Sequence, residues 1–434
     1  MEVTLVPNTT DLGFEGSGYK IKKKVPQPTE AVVSPKPKIP EVQPEKEQSK
    51  SPIAKVLPDE IPKLGKREII STQQEAEKAQ TGLPLEPQKA SPQTQEDGIK
   101  YYEFSKHLGS GSFGIVSKYK DMRTKRYVAI KKVLCDDNVT WQNREYELLQ
   151  KLLHPNIVRV KSSFKTQDHA ESGGPPKRYL NIVMDYIPDN LHKIIQHFVK
   201  QKASVPDTLV MIYSYQLFRC LHFMRVHSVA HRDIKPQNIL VDTGSHQLFF
   251  CDFGSAKTLK PDQPSEDYIC SRFYRAPELL HGSKSYTCSV DTWSVGCVMA
   301  ELILGIPIFM GENTQDQIAK IIEHIGQPDD AEMKAMGSKI PAAPRKPQQL
   351  VLKQRLQTKV NKDGLDLLTR VFVYDPEKRI KPLDALQHPF FDPLRFKQTV
   401  INQKPITDLF NFNADESKGY ERYVRKLTPE WYNP

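Results

Sequence analysis

Two aspartates and an asparagine stand close together in the second half of this chain, each beside an apolar run. His231-Arg232-Asp233-Ile234-Lys235-Pro236-Gln237-Asn238 leads directly into Ile239-Leu240-Val241. A little further on, Leu248-Phe249-Phe250 leads into Cys251-Asp252-Phe253-Gly254. Short apolar strands would hold such polar groups rigidly, which phosphoryl transfer requires. One carboxylate must accept the proton of an attacking hydroxyl, and a set of oxygen ligands must hold Mg²⁺ against the phosphates. The pattern H-R-D-x-x-x-x-N followed by D-F-G meets that need, with Asp233 as base and Asn238 and Asp252 as metal ligands. Either stretch alone could be turn residues between strands. Both together, in this order, are hard to reach by chance.

Three further parts are needed: a cover for the phosphates, a cation to grip them and a group to steady that cation. Leu108-Gly109-Ser110-Gly111-Ser112-Phe113-Gly114-Ile115-Val116 supplies the first. Its glycines permit a tight turn and let backbone N–H groups approach phosphate oxygens. A dinucleotide fingerprint of similar spelling would need a helix directly after it. Here Ser117–Tyr119 continue as strand, a turn follows at Asp121–Lys125, and Tyr127–Val133 is a second strand. Alternation along that strand puts Lys131 on the face of Ala129 and Val133, and Lys132 on the opposite face. Alternation cannot choose between the two lysines; the V-A-I-K spelling chooses Lys131. In Trp141–Leu153, Leu148, Leu149 and Leu152 follow Glu145 at helical spacing, which puts Glu145 on the apolar face. A carboxylate buried without a partner is costly, and Lys131 is the partner expected.

Composition bounds the rest. Hydrophobic residues at 38% allow a sizeable core in a chain of 434 residues, while 34 prolines imply that part of it lies outside any core. Residues 1–99 are rich in Pro, Lys, Glu, Gln and Ser and are expected to be disordered, apart from a short helix over 67–79. Ser34-Pro35, Ser51-Pro52 and Ser91-Pro92 have the form of proline-directed phosphorylation sites, and Lys20-Ile21-Lys22-Lys23-Lys24 that of a nuclear import signal, although linker composition and a solvated charge run explain them as well. Acidic and basic residues balance over this region, so the net charge of +10 belongs to the folded part. Such an excess suits phosphorylated ligands or nucleic acid, but no nucleic-acid module is recognisable. Six scattered cysteines without a C-x-x-C pair argue for reduced thiols in a cytosolic or nuclear setting. Met1-Glu2-Val3-Thr4 suggests neither a signal peptide nor N-myristoylation. The apolar run around Val295–Met310 is broken by Glu301 and Pro307 and reads as a buried helix, not a membrane span.

Further along, Ile157–Phe164 and Tyr179–Met184 read as strands around a polar loop at Thr166–Lys177, and Asp185-Tyr186-Ile187-Pro188 as a hinge. Leu209, Ile212, Tyr213, Gln216, Cys220, Leu221 and Met224 then mark an amphipathic helix leading to the catalytic stretch. Helices are also expected at Ser289–Leu304, Asp316–Ile325, Gly364–Val373 and Leu383–Gln387. The fold class is therefore α+β and bilobal: a small strand-rich lobe at about 102–184 and a larger helical lobe at about 185–391. Residues 392–434 read as a partly ordered tail.

At this point the chain resembles a eukaryotic protein kinase over residues 102–391. Ala276-Pro277-Glu278 matches the A-P-E element, with Arg379 placed to pair with Glu278, and Asp291-Thr292-Trp293-Ser294-Val295-Gly296 matches the buried-aspartate helix. The resemblance implies ATP and Mg²⁺ as cofactors and protein substrates. It adds Lys235, usual in Ser/Thr kinases, to the catalytic group of Asp233, Lys131 and Glu145. It places Ala129, Asp185, Ile187, Gln237 and Leu240 around the nucleotide, with Met184 as gatekeeper. More narrowly, Asn143-Arg144-Glu145, Cys251-Asp252-Phe253-Gly254-Ser255-Ala256-Lys257 and Tyr268-Ile269-Cys270-Ser271-Arg272-Phe273-Tyr274-Arg275 resemble the glycogen synthase kinase-3 (shaggy-like) family. That likeness implies that Arg144, Arg232 and Lys257 receive a phosphate already present four residues C-terminal to the target. It also implies that Tyr268 is an autophosphorylated activation-loop tyrosine. Glu266-Asp267 add charge where the family has less and offer an internal occupant for the cationic pocket. The N-terminal region lacks the Arg-rich segment of a phosphorylated pseudosubstrate. Asp329–Lys359 departs from the family beside the helix used there for a scaffold protein of the Axin kind. A catalytically weak kinase-fold scaffold would require one of Lys131, Glu145, Asp233, Asn238 or Asp252 to be replaced, and none is.

Overall fold

The computed structural model describes residues 98–111, 114–135, 143–168, 177–260, 263–266, 268–344, 351–397, 399–401, 404–405 and 407–432. The expectations placed on residues 1–97, on Ser112 and Phe113, and on Asp267 lie outside the described residues.

The first part is a single five-stranded sheet, formed by β1 (Tyr102–Gly111), β2 (Gly114–Asp121), β3 (Tyr127–Leu134), β4 (Val160–Asp168) and β5 (Lys177–Asp185). Its order is β1-β2-β3-β5-β4, antiparallel throughout. The central strand β3 is buried from Val128 to Lys131 on both faces. On one side Val128 and Ile130 join Tyr102, Phe164 and Val183 in a small apolar cluster. On the other, Val133 joins Ile182 and Met184 in the main core. Between β3 and β4 lies α1 (Arg144–Lys151), shorter than the stretch expected. Asn143 caps it by accepting a hydrogen bond from the Tyr146 N–H at 2.9 Å, and the helix ends at Leu152. The strand expected over Ile157–Phe164 is displaced. Ile157 forms a parallel bridge to Phe250 instead, and the Val158 N–H donates to the Phe250 carbonyl at 3.0 Å. This backbone stitch ties the entry to β4 to the strand that precedes Asp252.

The remainder is largely helical, as expected. After β6 (Asp189–Asn190) come α2 (Leu191–Lys200) and α3 (Asp207–Val226). Four short strands follow: β7 (Val229–Ala230), β8 (Ile239–Asp242), β9 (Gln247–Phe250) and β10 (Lys257–Thr258). Then come α4 (Pro277–Leu280), α5 (Ser289–Leu304), α6 (Thr314–Ile325), α7 (Asp330–Ala335), α8 (Val351–Leu356), α9 (Lys362–Val371) and α10 (Pro382–Leu386). The span of α5 is the one read from the sequence, and Gly305 ends it in the left-handed conformation with φ 78°. Helix α3 corrects an expectation. It is not amphipathic, because every residue from Leu209 to Met224 is buried. It packs against α5 and α10 and beside β7 and β9, so its polar residues need internal partners. Gln216 finds them in Asn156 and in the backbone of Leu248.

Arg219 finds its partner in the tail. Residues 407–432 carry α11 (Ala414–Ser417) and α12 (Glu421–Leu427), and Leu409, Phe410 and Leu427 belong to the main core. Glu416 is fully buried and accepts from Arg219 Nε at 2.6 Å and Nη2 at 2.8 Å. It also accepts from His154 Nε2 at 3.1 Å and from the Asn413 N–H at 2.7 Å. The Asn156 N–H donates to His154 Nδ1 at 3.0 Å, which fixes the proton of a neutral ring on Nε2. Burial holds that imidazole below its ordinary value despite Glu416. No described helix is long and apolar enough to cross a membrane, and all six cysteines are free thiols.

Candidate active site

The stretch from His231 to Asn238 hangs from the core. Asp291, in the first turn of α5 and 1% exposed, accepts the His231 N–H at 2.6 Å and the Arg232 N–H at 3.0 Å. These bonds hold Arg232 at φ 65°, in the left-handed region that a non-glycine residue seldom enters. The His231 ring packs on Phe253 with centroids 4.8 Å apart, and its Nε2 lies 3.1 Å from the Cys251 carbonyl. The two segments first noticed in the sequence are thus one unit.

Asp233 follows directly. Its Oδ2 accepts from Lys235 Nζ at 2.8 Å and from Asn238 Nδ2 at 2.9 Å. Its Oδ1 accepts from the Ser271 hydroxyl at 2.9 Å and the Ser271 N–H at 3.1 Å. Burial opposes the charge, but Lys235 and Ser271 outweigh it and hold the carboxyl below its ordinary range. Lys235 Nζ also reaches the Ser271 hydroxyl at 3.1 Å. Ser271 was not singled out from the sequence. It lies 38 residues after Asp233, and no local pattern ties the two together.

Lys131 stands opposite Val116 on β2 and Ile182 on β5. Its Nζ lies 2.8 and 2.6 Å from the two Glu145 oxygens and 2.8 Å from Asp252 Oδ1. Lys131 and Glu145 are both buried. Burial would strip the ammonium of its proton, but Glu145 and Asp252 outweigh it and raise Lys131 above its ordinary value. Burial likewise pushes the Glu145 carboxyl up against the pull of Lys131. Asp252 adopts φ 61°, ψ 67°, a conformation that aspartate tolerates better than most residues.

The residues expected to contact the nucleotide lie on β1, β2, β3, β5 and β8 and in the turns beside them. Leu108, Gly109, Ser110 and Gly111 end β1, and Gly114 and Val116 begin β2. Of the glycines, only Gly114 is required by the fold itself. It has φ 130°, and a Cβ there would lie 2.4 Å from the Lys132 carbonyl oxygen. A Cβ at Gly109 or Gly111 would meet nothing. Ala129 is buried opposite Met184 in the β3–β5 register. Asp185 ends β5, and its carboxylate pairs with Lys161 at 2.6 Å. Among the described residues no backbone hydrogen bond engages Ile187. Leu240 lies on β8 and is half-buried, and Gln237, in the short turn before that strand, is exposed.

Among the described residues no group of three or more His, Cys, Asp or Glu is arranged to hold a metal. The donor chemistry nonetheless fits Mg²⁺, which takes one or two protein oxygens and completes its shell with phosphates and water. Asn238 and Asp252 are joined by the bond from the Cys251 N–H to the Asn238 carbonyl at 3.0 Å. One Asp252 oxygen is committed to Lys131. The Asn238 amide nitrogen is committed to Asp233, so its oxygen points away from that bond.

The expected cationic trio is only partly assembled. Lys257 in β10 pairs with Ala230, two residues before Arg232. Arg232 is engaged through two of its three nitrogens: Nε donates to the Ser255 carbonyl at 2.7 Å, and Nη1 donates to the Tyr286 hydroxyl and to Glu266 Oε2, both at 2.9 Å. Arg144, the first residue of α1, is exposed, and among the described residues no hydrogen bond joins its side chain to the other two. Tyr268 is 77% exposed, with the Arg275 guanidinium 4.5 Å from its ring centroid. Arg379 donates to both Glu278 oxygens, at 2.9 and 3.0 Å, and both side chains are buried. A family model described as protein kinase domain matches residues 102–391.

Proposed function

The chain belongs to the protein kinase family, and on that premise we propose that it transfers the γ-phosphoryl group of ATP to serine and threonine hydroxyls of proteins. The observation that carries the reading is the position of Lys131, which bonds both Glu145 oxygens and Asp252 at 2.6–2.8 Å. Lys131 binds the nucleotide phosphates, and Glu145 keeps its ammonium aimed and protonated. Asn238 and Asp252 hold Mg²⁺, which when bound neutralises charge on the phosphates. Asp233, kept ionised by Lys235 and Ser271, orients the substrate hydroxyl and accepts its proton. The Lys235 ammonium, 2.8 Å from Asp233, supplies positive charge beside the transferred group. Leu108, Val116, Ala129 and Leu240 line the base, and Asp185 and Ile187 offer backbone groups to it.

The narrower resemblance supports a preference for substrates already phosphorylated four residues C-terminal to the target. Arg232, Lys257 and Arg144 would receive that phosphate through charge-assisted bonds. The test of the chemistry is transfer from Mg·ATP to a protein substrate. Asp233→Asn is isosteric and should lower kcat by about 10²–10⁴ with ATP binding retained. Lys131→Ala should abolish transfer as well. Robust turnover in both variants would end the proposal.

A further inference from the structure

Arg232 is the residue before the proposed base, and its side chain is 4% exposed. A buried guanidinium needs an anion, and here the anion comes from the same chain. Glu266 Oε2 accepts from Nη1 at 2.9 Å, while the Glu266 side chain itself is 65% exposed. The surrounding contacts position this carboxylate. The Tyr286 hydroxyl accepts from Arg232 and donates to the Glu266 carbonyl at 2.8 Å. One residue earlier, the Ser265 N–H donates to the Lys284 carbonyl at 2.8 Å. Lys257 Nζ reaches the Pro264 carbonyl at 3.4 Å. The Glu266 backbone N–H and Arg232, helped by Lys257, hold the Glu266 carboxyl at about 2, so it is anionic at every working pH.

A buried cation with an exposed anionic partner is an occupied site that can exchange its occupant. The carboxylate brings one charge, whereas a phosphate monoester brings nearly two and three acceptor oxygens. A pair whose carboxylate is open to water contributes about 1 kcal/mol, or a factor of about five, so a substrate phosphate has little to displace.

We propose that Glu266 is the resident anion of the Arg232 site and sets how strongly the enzyme distinguishes primed from unprimed substrates. In its place, Glu266 satisfies Arg232, so an unprimed substrate meets an organised site. A primed substrate gains entry by displacing it. This rests on the primed-substrate reading above.

Two peptides test it, identical except for serine or phosphoserine at the fourth position after the target serine. They are turned over by the full chain and by its Glu266→Gln variant. The primed-to-unprimed ratio of kcat/KM should rise about fivefold in the variant, through a lower KM for the primed peptide and a slower rate on the unprimed one. If the wild type prefers the primed peptide and the variant prefers it equally, Glu266 is a bystander while the primed-substrate reading stands. If both proteins are active and neither distinguishes the peptides, that reading falls and takes the proposal with it. Fluorescence anisotropy of the labelled phosphopeptide gives a measurement independent of turnover. The variant should bind it more tightly, and equal affinities would overturn the proposal.

Discussion

Replacing Glu416 by glutamine keeps the shape of the side chain and removes its charge. In the native chain this carboxylate accepts from Arg219 Nε and Nη2, His154 and the Asn413 N–H, with no exposure to water. Burial alone would raise its pKa, but Arg219 and His154 outweigh burial and hold it at about 2 against an ordinary 4.5. A carboxyl lowered that far contributes about 3 kcal/mol to folding. Removing one partner of a buried pair costs a similar ~3–5 kcal/mol, because the other charge stays buried. Glu416→Gln should therefore lose about 3 kcal/mol in urea unfolding at neutral pH, with the slope m unchanged. The pH dependence follows from the direction of the shift. A carboxyl whose folded pKa is depressed stabilises fully above its unfolded value of 4.5 and loses that contribution as pH falls towards 2. The difference between wild type and variant should be flat above pH 4.5 and shrink below it. A loss under about 1 kcal/mol at neutral pH, or a difference that grows on acidification, would refute the reasoning.

Ser271→Ala removes a hydroxyl that donates to Asp233 at 2.9 Å. A hydrogen bond to a charged group is worth ~1.5–3 kcal/mol, so kcat should fall about tenfold or more; an unchanged kcat, or an effect confined to the KM for ATP, would remove Ser271 from the arrangement. At the hairpin, Gly114→Ala should cost ~1–3 kcal/mol by thermal unfolding, because its φ is 130° and its Cβ would strike the Lys132 carbonyl. Gly111→Ala meets no atom and should leave Tm unchanged; equal shifts would show that the two glycines are not distinguished by the backbone.

What could be read from the sequence was whatever the chemistry writes locally. Asp233 and Asn238 lie five residues apart and share a hydrogen bond. Lys131 was found through the V-A-I-K spelling, because strand alternation could not separate it from Lys132, and Glu145 through a helical stripe that puts it on an apolar face. Helix α5 has the span read from the sequence, and in the structure Gly305 closes it. Contacts between distant segments left no such trace. Arg219 and Glu416 are 197 residues apart, and each looks like an ordinary polar residue on a helix. Helix α3 read as amphipathic, but it is buried all round: Gln216 bonds Asn156 and the backbone of Leu248, and Arg219 and His222 bond the tail. The entry to β4 failed for a related reason, since Ile157 and Val158 have strand character but their pairing goes to Phe250. The cationic trio was grouped by resemblance, and geometry joins only part of it.

The two amides that Asp291 accepts bear on where motion can occur. Segments that carry chemistry are ordinarily drawn from the least stable parts of a protein and open without disturbing the rest. Here the N–H groups of His231 and Arg232 end on a carboxylate inside α5, a helix buried along nearly its whole length. Freeing Arg232 strips one of the two donors from a carboxylate that is 1% exposed, and so disturbs the core itself. Amide exchange at these two positions should therefore be slow and approach the global stability of the chain.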